Sequence, residues 1–396
     1  VKVFSRVLLC NLLTYNFAAE MKIGFDAKRA FLNNTGLGNY SRNAIRVLSH
    51  FFPENKYFLF TPKAPQTHTV SLFNGHANTF TRTPKSLISR VFTSYWRSKS
   101  VVKDLVADKI DLFHGLSHEL PLGIEKTHIK TVVSIHDLIF IRYPHLFRAI
   151  DRKIYYNKFK SACDRSDKII AASKQTKQDV IEFFGIPEEK IDVVYQGCSN
   201  AFHHEVSGKK KREVQEKYNL PEDYILSVGS IEERKNLLTI LKTLLELPNQ
   251  KLVVIGRGKD YKKKCLRFID THNLSDRVFF LTGIDSEEMA AVYQNAQMLI
   301  YPSLFEGFGI PILEALFSKT PVISSKEGCF VEAGGSETKY IDPLSVHEMK
   351  EAIVDIQQSP DLQKTMISKG FEYAQNFTDQ KIAANLFQVY NTLLDD

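Results

Sequence analysis

Ser303–Ala315 reads S-L-F-E-G-F-G-I-P-I-L-E-A, and the rest of the chain is understood outward from it. The apolar run Ala296–Tyr301 before it has the composition of a buried strand, and Leu313–Phe317 after it reads as helix. Between them lie Gly307, Gly309 and Pro311, whose missing N–H suits the first turn of a helix. The expectation is strand, glycine turn, helix start. Backbone N–H groups at a helix N-terminus attract anions, and the flanking carboxylates Glu306 and Glu314 can accept from hydroxyls. Such a place suits a ligand carrying both an anionic group and sugar hydroxyls.

The same alternation surrounds it. Upstream, Tyr224–Val228 reads as a strand running into Gly229-Ser230-Ile231-Glu232-Glu233-Arg234-Lys235-Asn236 and a helix at Leu237–Leu245. The adjacent cations Arg234 and Lys235 can neutralise a pyrophosphate without a metal. Strands are expected at Lys251–Gly256, Val278–Leu281, Pro321–Ser324 and Thr338–Ile341. Helices are expected at Ser286–Asn295, Ser345–Ile356 and Asp361–Thr392.

The first half follows the same rule, with strands at Lys22–Asp26, Tyr57–Thr61, Asp111–His114, Lys130–Ile135, Lys168–Ala172 and Ile191–Tyr195. A loop at residues 33–40 holding Gly36 and Gly38 precedes a helix at Ser41–Phe51. It is not the dinucleotide fingerprint, because Ser41 stands where a third glycine is required. His114, His118 and His136 fall at expected strand ends, and His136, directly after a β-branched strand, is the strongest ligand candidate. Thr83–Val106 reads as one basic amphipathic helix with the single tryptophan, Trp96; packing on the sheet is the favoured reading and an anionic bilayer the alternative. Helix Lys174–Phe184 has a cap at Ser173 and stops at Gly185 and Pro187.

Alternating strand and helix in two successive runs predict two doubly wound α/β domains. The expected division is 1–20 as an N-terminal extension, with Met21 as the functional start; 21–200 as the first, acceptor-side domain; 201–212 as linker; 213–375 as the donor domain; and 376–396 as a C-terminal helix returning to the first domain. Residues 1–200 hold 29 lysines and arginines against 17 acidic residues, whereas 201–396 hold 23 against 28. The basic half suits an anionic partner or a membrane surface. Five scattered cysteines, Cys10, Cys163, Cys198, Cys265 and Cys329, indicate neither a disulfide framework nor a metal knuckle. A cytoplasmic chain, peripheral on the inner face of the plasma membrane, is the expectation. A nucleoside diphosphate sugar fits these features better than a dinucleotide or a nucleic acid.

From about Met21 to the C-terminus the sequence resembles glycosyltransferase family 4, the retaining enzymes of the GT-B fold, in which two Rossmann-like domains face a cleft. The most specific match is the E-x7-E motif in P-S-L-F-E-G-F-G-I-P-I-L-E-A-L, with V-G-S-I-E-E-R-K-N at Val228–Asn236, S-I-H-D-L at Ser134–Leu138, A-S-K-Q-T-K-Q-D at Ala172–Asp179 and V-V-Y-Q-G at Val193–Gly197 in support. The resemblance implies that Glu314 accepts from the ribose hydroxyls, that Glu306 contacts the transferred sugar, and that the N–H groups of Phe308, Gly309 and Ile310, after Gly307, hold its hydroxyls and phosphate. It further implies that Arg234 and Lys235 bind the diphosphate, with Ser230 beside it. His136 would reach the sugar from the first domain, and Gly36 and Gly38 would let that domain's loop approach the phosphates. Ser230 departs from the pattern, since many relatives carry arginine there.

The implied reaction is metal-independent hexosyl transfer with retention, using no cofactor. The donor phosphate takes the acceptor proton, and the domains close to exclude water. Glu306 and Glu314 are then positioning groups rather than an acid–base pair. The motif forms resemble those of bacterial mannosyltransferases of surface polysaccharide synthesis, implying GDP-mannose as donor and a glycan or lipid-linked acceptor. A GT-B epimerase, a phosphorylase or a non-catalytic nucleotide-sugar-binding subunit are the alternatives.

Overall fold

Thirteen strands form two parallel sheets in the computed structural model, which describes residues 20–33, 35–64 and 77–395. The N-terminal extension expected at 1–20 lies outside the described residues apart from Glu20. The first sheet contains β1 (Lys22–Asp26), β2 (Lys56–Phe60), β3 (Thr79–Arg82), β4 (Leu112–Gly115), β5 (Lys130–Ile135), β6 (Lys168–Ala171) and β7 (Ile191–Val193), in the order β3-β2-β1-β4-β5-β6-β7. The second contains β8 (Ile225–Val228), β9 (Leu252–Ile255), β10 (Val278–Leu281), β11 (Met298–Tyr301), β12 (Val322–Ser325) and β13 (Lys339–Ile341), in the order β10-β9-β8-β11-β12-β13. The chain divides into two compact units. One comprises residues up to Ser134 with Ser161–Ile169 and Leu386–Asp396; the other comprises Ile135–Lys160 and Ile170–Asn385.

Most strands are largely apolar because both faces of a doubly wound sheet are covered, whereas the edge strand β3 reads Thr-Phe-Thr-Arg and has no buried residue. In the second unit the two-residue side-chain period sorts neighbours into two cores. Leu226, Val253, Leu299 and Tyr301 pack with Tyr293, Leu313 and Phe330, while Ile225, Val254 and Ile300 pack with Ile240, Leu244 and Ile353. In the first unit, His114 at the end of β4 is buried, its Nδ1 2.6 Å from Tyr390 Oη and its Nε2 2.8 Å from Ser134 Oγ. It is part of a polar core. His118, the other candidate at that strand end, adopts φ 64° and its N–H donates to Ser134 O.

Several local expectations are corrected. Gly36 and Gly38 lie in the first turn of a helix, Gly36–Phe51, rather than in a loop before one starting at Ser41. The expected single helix Thr83–Val106 is replaced by short helices at Leu87–Val91 and Thr93–Tyr95, a π-helical turn at Trp96–Ser100, and a helix at Val101–Ala107. The wide turn lets Trp96 face inward, with Nε1 donating to Asp104 Oδ2 at 2.7 Å. It also lets Arg97 reach Asp26 (2.5 Å) and Glu119 (2.9 Å). The basic run expected as linker belongs to a helix, Gly208–Lys217, capped by Ser207. The long C-terminal helix is two, Pro360–Ala374 and Asp379–Asp395. Helix Lys174–Phe184 has its expected ends: Ser173 Oγ accepts from Thr176 N–H, and Gly185 is left-handed at φ 67°.

The order of the second sheet reverses between β8 and β11. Loops that leave the carboxyl ends of such a pair diverge and form a ligand crevice. The loop after β8 is Gly229–Asn236, and the loop after β11 is the Glu306 stretch.

Candidate functional site

The Glu306 loop is pinned before it reaches Glu306. Ser325 Oγ donates to Ser303 O at 2.6 Å, and Leu304 N–H donates to Arg234 O at 2.8 Å. From the other side Asn236, left-handed at φ 58°, donates through Nδ2 to Pro302 O and Pro343 O. The two loops therefore hold each other, and the pairing brings three charges together. Arg234 Nη1 lies 2.7 Å from Glu306 Oε1, and Lys235 Nζ makes an ion pair with the same oxygen. Arg234 also donates to Phe305 O and to Glu232. Lys235 Nζ donates to Tyr301 Oη at 2.6 Å, 4.7 Å from the centre of that ring.

Burial opposes the charge on Glu306, but Lys235 and Arg234 outweigh it and hold the carboxyl below its ordinary range. Burial likewise opposes the Arg234 charge, which Glu306 and Glu232 restore and strengthen. The cluster is a preformed, mostly buried site with two cations against one carboxylate at its centre.

After Glu306 the backbone turns through Gly307 and Gly309 into helix Ile310–Phe317, with Pro311 in its first turn as expected. Gly309 has φ 126°, a conformation that side chains other than hydrogen rarely adopt. Among the described residues no acceptor takes the N–H of Phe308 or Gly309. The Phe308 ring is buried and stacks on Tyr195, centroids 5.3 Å apart, which fixes where those N–H groups point. Glu314, one turn into the helix, accepts from Tyr293 Oη at 2.8 Å. Burial pushes its pKa up to about 7, against the opposing pull of Tyr293 and of the Lys235 charge. The two glutamates thus sit in opposite environments, one held ionised by cations and the other poised near neutrality.

His136 directly follows β5 and is buried; Gln196 Nε2 lies 3.1 Å from its Nδ1. An amide donor there makes Nδ1 the acceptor and places the ring proton on Nε2. The His136 carbonyl accepts from Thr176 Oγ1 at 3.1 Å. It also faces Gly307 so closely that a Cβ there would stand 2.0 Å from the carbonyl oxygen. Gly307→Ala is therefore expected to force the two segments apart and lower the unfolding free energy by about 1–3 kcal/mol. Gly36→Ala, with nothing within 4 Å of the added Cβ, should melt like the parent. Denaturant melts of both variants check this; equal midpoints would refute the contact.

The structure thus gathers His136, Arg234, Lys235, Glu306, Gly307, Phe308, Gly309, Ile310 and Glu314 in one unit. Ser230 is beside them but exposed, its Oγ donating to Glu232 at 2.9 Å. Gly36 and Gly38 belong to the other unit. Sequence reasoning missed Tyr293 and Tyr301, which partner Glu314 and Lys235, although Tyr301 ends the strand before the motif. It missed Gln196, which lies inside the quoted V-V-Y-Q-G. It also missed Asp137, whose pKa burial pushes up while the Ile139 N–H and Arg234 pull it down. A cavity of about 300 Å³ opens at Glu306, lined by Arg142, Tyr143, Gln175, Phe305, Glu327 and Phe330 among others. Its volume is at the lower end of those that hold small ligands.

Comparison with known proteins places this architecture. The family described as Glycosyltransferase Family 4 matches residues 41–200, and Glycosyl transferases group 1 matches residues 209–373. The O-antigen chain mannosyltransferase RfbU of Salmonella typhimurium is 28% identical over 270 residues, covering 68% of this chain and 70% of the relative. The O-antigen chain mannosyltransferase B of Escherichia coli is 24% identical over 390 residues, covering 94% and 100%. The crystal structure of Anabaena Alr3699/HepE in complex with UDP-glucose superposes with a TM-score of 0.74 at 17% identity, covering 94% of this chain and 100% of that one. Two parallel Rossmann-like sheets with the crevice of the second carrying this site define a glycosyltransferase of the GT-B fold. The chain belongs to glycosyltransferase family 4.

Proposed function

We propose that this glycosyltransferase moves mannose from GDP-mannose, with retention of anomeric configuration, to a glycan or lipid-linked acceptor in cell-surface polysaccharide synthesis. The observation that carries the reading is the Arg234–Lys235–Glu306 cluster beside the uncommitted N–H groups of Phe308 and Gly309. The diphosphate takes the two cations and those N–H groups, and negative charge growing on the leaving group meets donors already in place. Glu306 then turns from counter-ion to sugar ligand, and His136 supplies a further contact to the sugar. Retention follows if the departing phosphate oxygen itself takes the acceptor proton. The mannosyltransferases RfbU and O-antigen chain mannosyltransferase B support the choice of sugar. That Alr3699/HepE binds UDP-glucose supports a nucleotide sugar in this fold. With Arg234 and Lys235 neutralising the diphosphate, the reaction requires no metal.

Thermal-shift screening of GDP-mannose, GDP and UDP-sugars, with EDTA present, tests donor and metal together. At a hundred times its Kd a ligand adds about 2.7 kcal/mol of stability. The largest shift is expected from GDP-mannose. A larger shift from a UDP-sugar, or one that appears only when a divalent cation replaces EDTA, would overturn those parts of the proposal.

Glu314 gives the site a pH dependence. A carboxyl raised to about 7 adds stability below its unfolded pKa, and that stability is lost as pH rises towards 7. If only the ionised form accepts the ribose hydroxyls, nucleotide affinity rises with pH. Between pH 6 and pH 8 it should tighten by about tenfold, the change in ionised fraction. Titrations at several pH values check this, and Glu314→Gln should flatten the profile. An unchanged profile in that variant would assign the dependence elsewhere.

A further inference from the structure

Residues 55–103 contain eight lysines and arginines and not one aspartate or glutamate. Within this stretch the structure leaves large apolar side chains in water: Leu87 is 78% exposed, Ile88 73%, Val91 75%, Phe92 62% and Tyr95 56%. No residue of helix Leu87–Val91 is buried. Leu122, 51% exposed, is tied to the same region, its N–H donating to Ser98 O at 2.7 Å. The expected packing of this segment therefore holds for Trp96, Val101 and Leu105, which are buried, but not for Leu87, Ile88, Val91, Phe92 and Tyr95.

The segment is nonetheless built. Ser86 Oγ accepts from Ser89 N–H at 3.1 Å, and Arg90 Nε donates to Pro84 O at 3.2 Å. At its far end Trp96 is buried against Asp104, and Arg97 is fixed by Asp26 and Glu119. A contiguous exposed apolar patch on a held backbone marks an interaction surface. The same stretch of chain carries the exposed cations Lys85, Arg90, Lys99 and Lys103. A second copy of the chain would bring these like charges together, which is unfavourable. An anionic bilayer satisfies both parts, the apolar side chains entering the headgroup boundary and the cations meeting lipid phosphate. Among the described residues no helix is long and apolar enough to cross a membrane, so the contact is with the surface.

We propose that Leu87, Ile88, Val91, Phe92 and Tyr95, together with Lys85, Arg90, Lys99 and Lys103 of the same stretch, dock the first unit on an anionic lipid surface. The inference rests on this patch and is independent of the donor and acceptor assigned above. The test is co-sedimentation of the full chain with phosphatidylcholine vesicles and with vesicles that also contain phosphatidylglycerol. The parent should bind the anionic vesicles at least tenfold better and release them as salt rises. The triple variant Leu87→Ser/Val91→Ser/Phe92→Ser and the charge variant Lys85→Glu/Lys99→Glu should each lose at least tenfold in binding, with melting temperatures unchanged. Equal binding to both vesicle types would overturn the proposal, as would retained binding by either well-folded variant. A parent dimer that the triple variant abolishes without affecting vesicle binding would make the patch a self-association face and overturn it as well.

Discussion

Lys235→Ala is expected to lower kcat by about 10²–10³-fold, the usual effect of removing one preorganised group that meets developing charge. In the resting site Lys235 holds Glu306 ionised, donates to Tyr301 and lies over its ring. On the proposed mechanism it shifts to the leaving diphosphate, whose charge grows in the transition state. Its loss should therefore affect kcat more than KM, because the ground-state diphosphate still has Arg234 and the backbone N–H groups. Steady-state kinetics separates the two. A variant with unchanged kcat and only a raised KM would show that Lys235 binds the donor uniformly and does not assist departure.

Glu306→Gln should separate binding from turnover in opposite directions. The carboxylate is now the counter-ion of Arg234 and Lys235, so it competes with any diphosphate for the same two cations. Replacing it by the isosteric amide removes that competition, and GDP should bind as tightly as in the parent or several-fold more tightly. The sugar loses a charged hydrogen-bond acceptor, worth about 1.5–3 kcal/mol, so turnover should fall by about 10–150-fold. Calorimetric titration of GDP and the rate of GDP release from GDP-mannose check the two halves. Weaker GDP binding with normal turnover would reverse the roles assigned here. A misfolded variant would lose both, so the opposed signs also report on folding.

How much of this was legible depended on whether the governing contact was local. Lys130–Ile135 and Val278–Leu281 occupy the residues their composition suggested, because buried parallel strands need only a short run of apolar residues. Ser173 and Gly185 marked a helix correctly for the same reason: caps act on their own backbone. The helix Asp260–Thr271 went unread because its three successive lysines, Lys262–Lys264, obscure a stripe in which only Cys265 and Ile269 are buried. The expected helix through residues 83–106 breaks because Trp96 and Arg97 are drawn to Asp104, Asp26 and Glu119, the last two far away in sequence.

At the site the spacing of Glu306 and Glu314 announced a pair of carboxylates, and the glycines announced the turn. The opposite environments of the two could not be read from spacing. They arise from Lys235, 71 residues before Glu306, and from Tyr293 packed across from Glu314. A carboxylate's role is set by what surrounds it, and those neighbours arrive through the order of the second sheet.

The most direct test of the account is titration calorimetry of GDP-mannose into the full chain and into the double variant Arg234→Ala/Lys235→Ala, which lacks both cations, at pH 8 with EDTA present. The account predicts one saturable site in the parent and at least tenfold weaker binding in the variant. No saturable binding to the parent, or equal affinity in the two proteins, would contradict it.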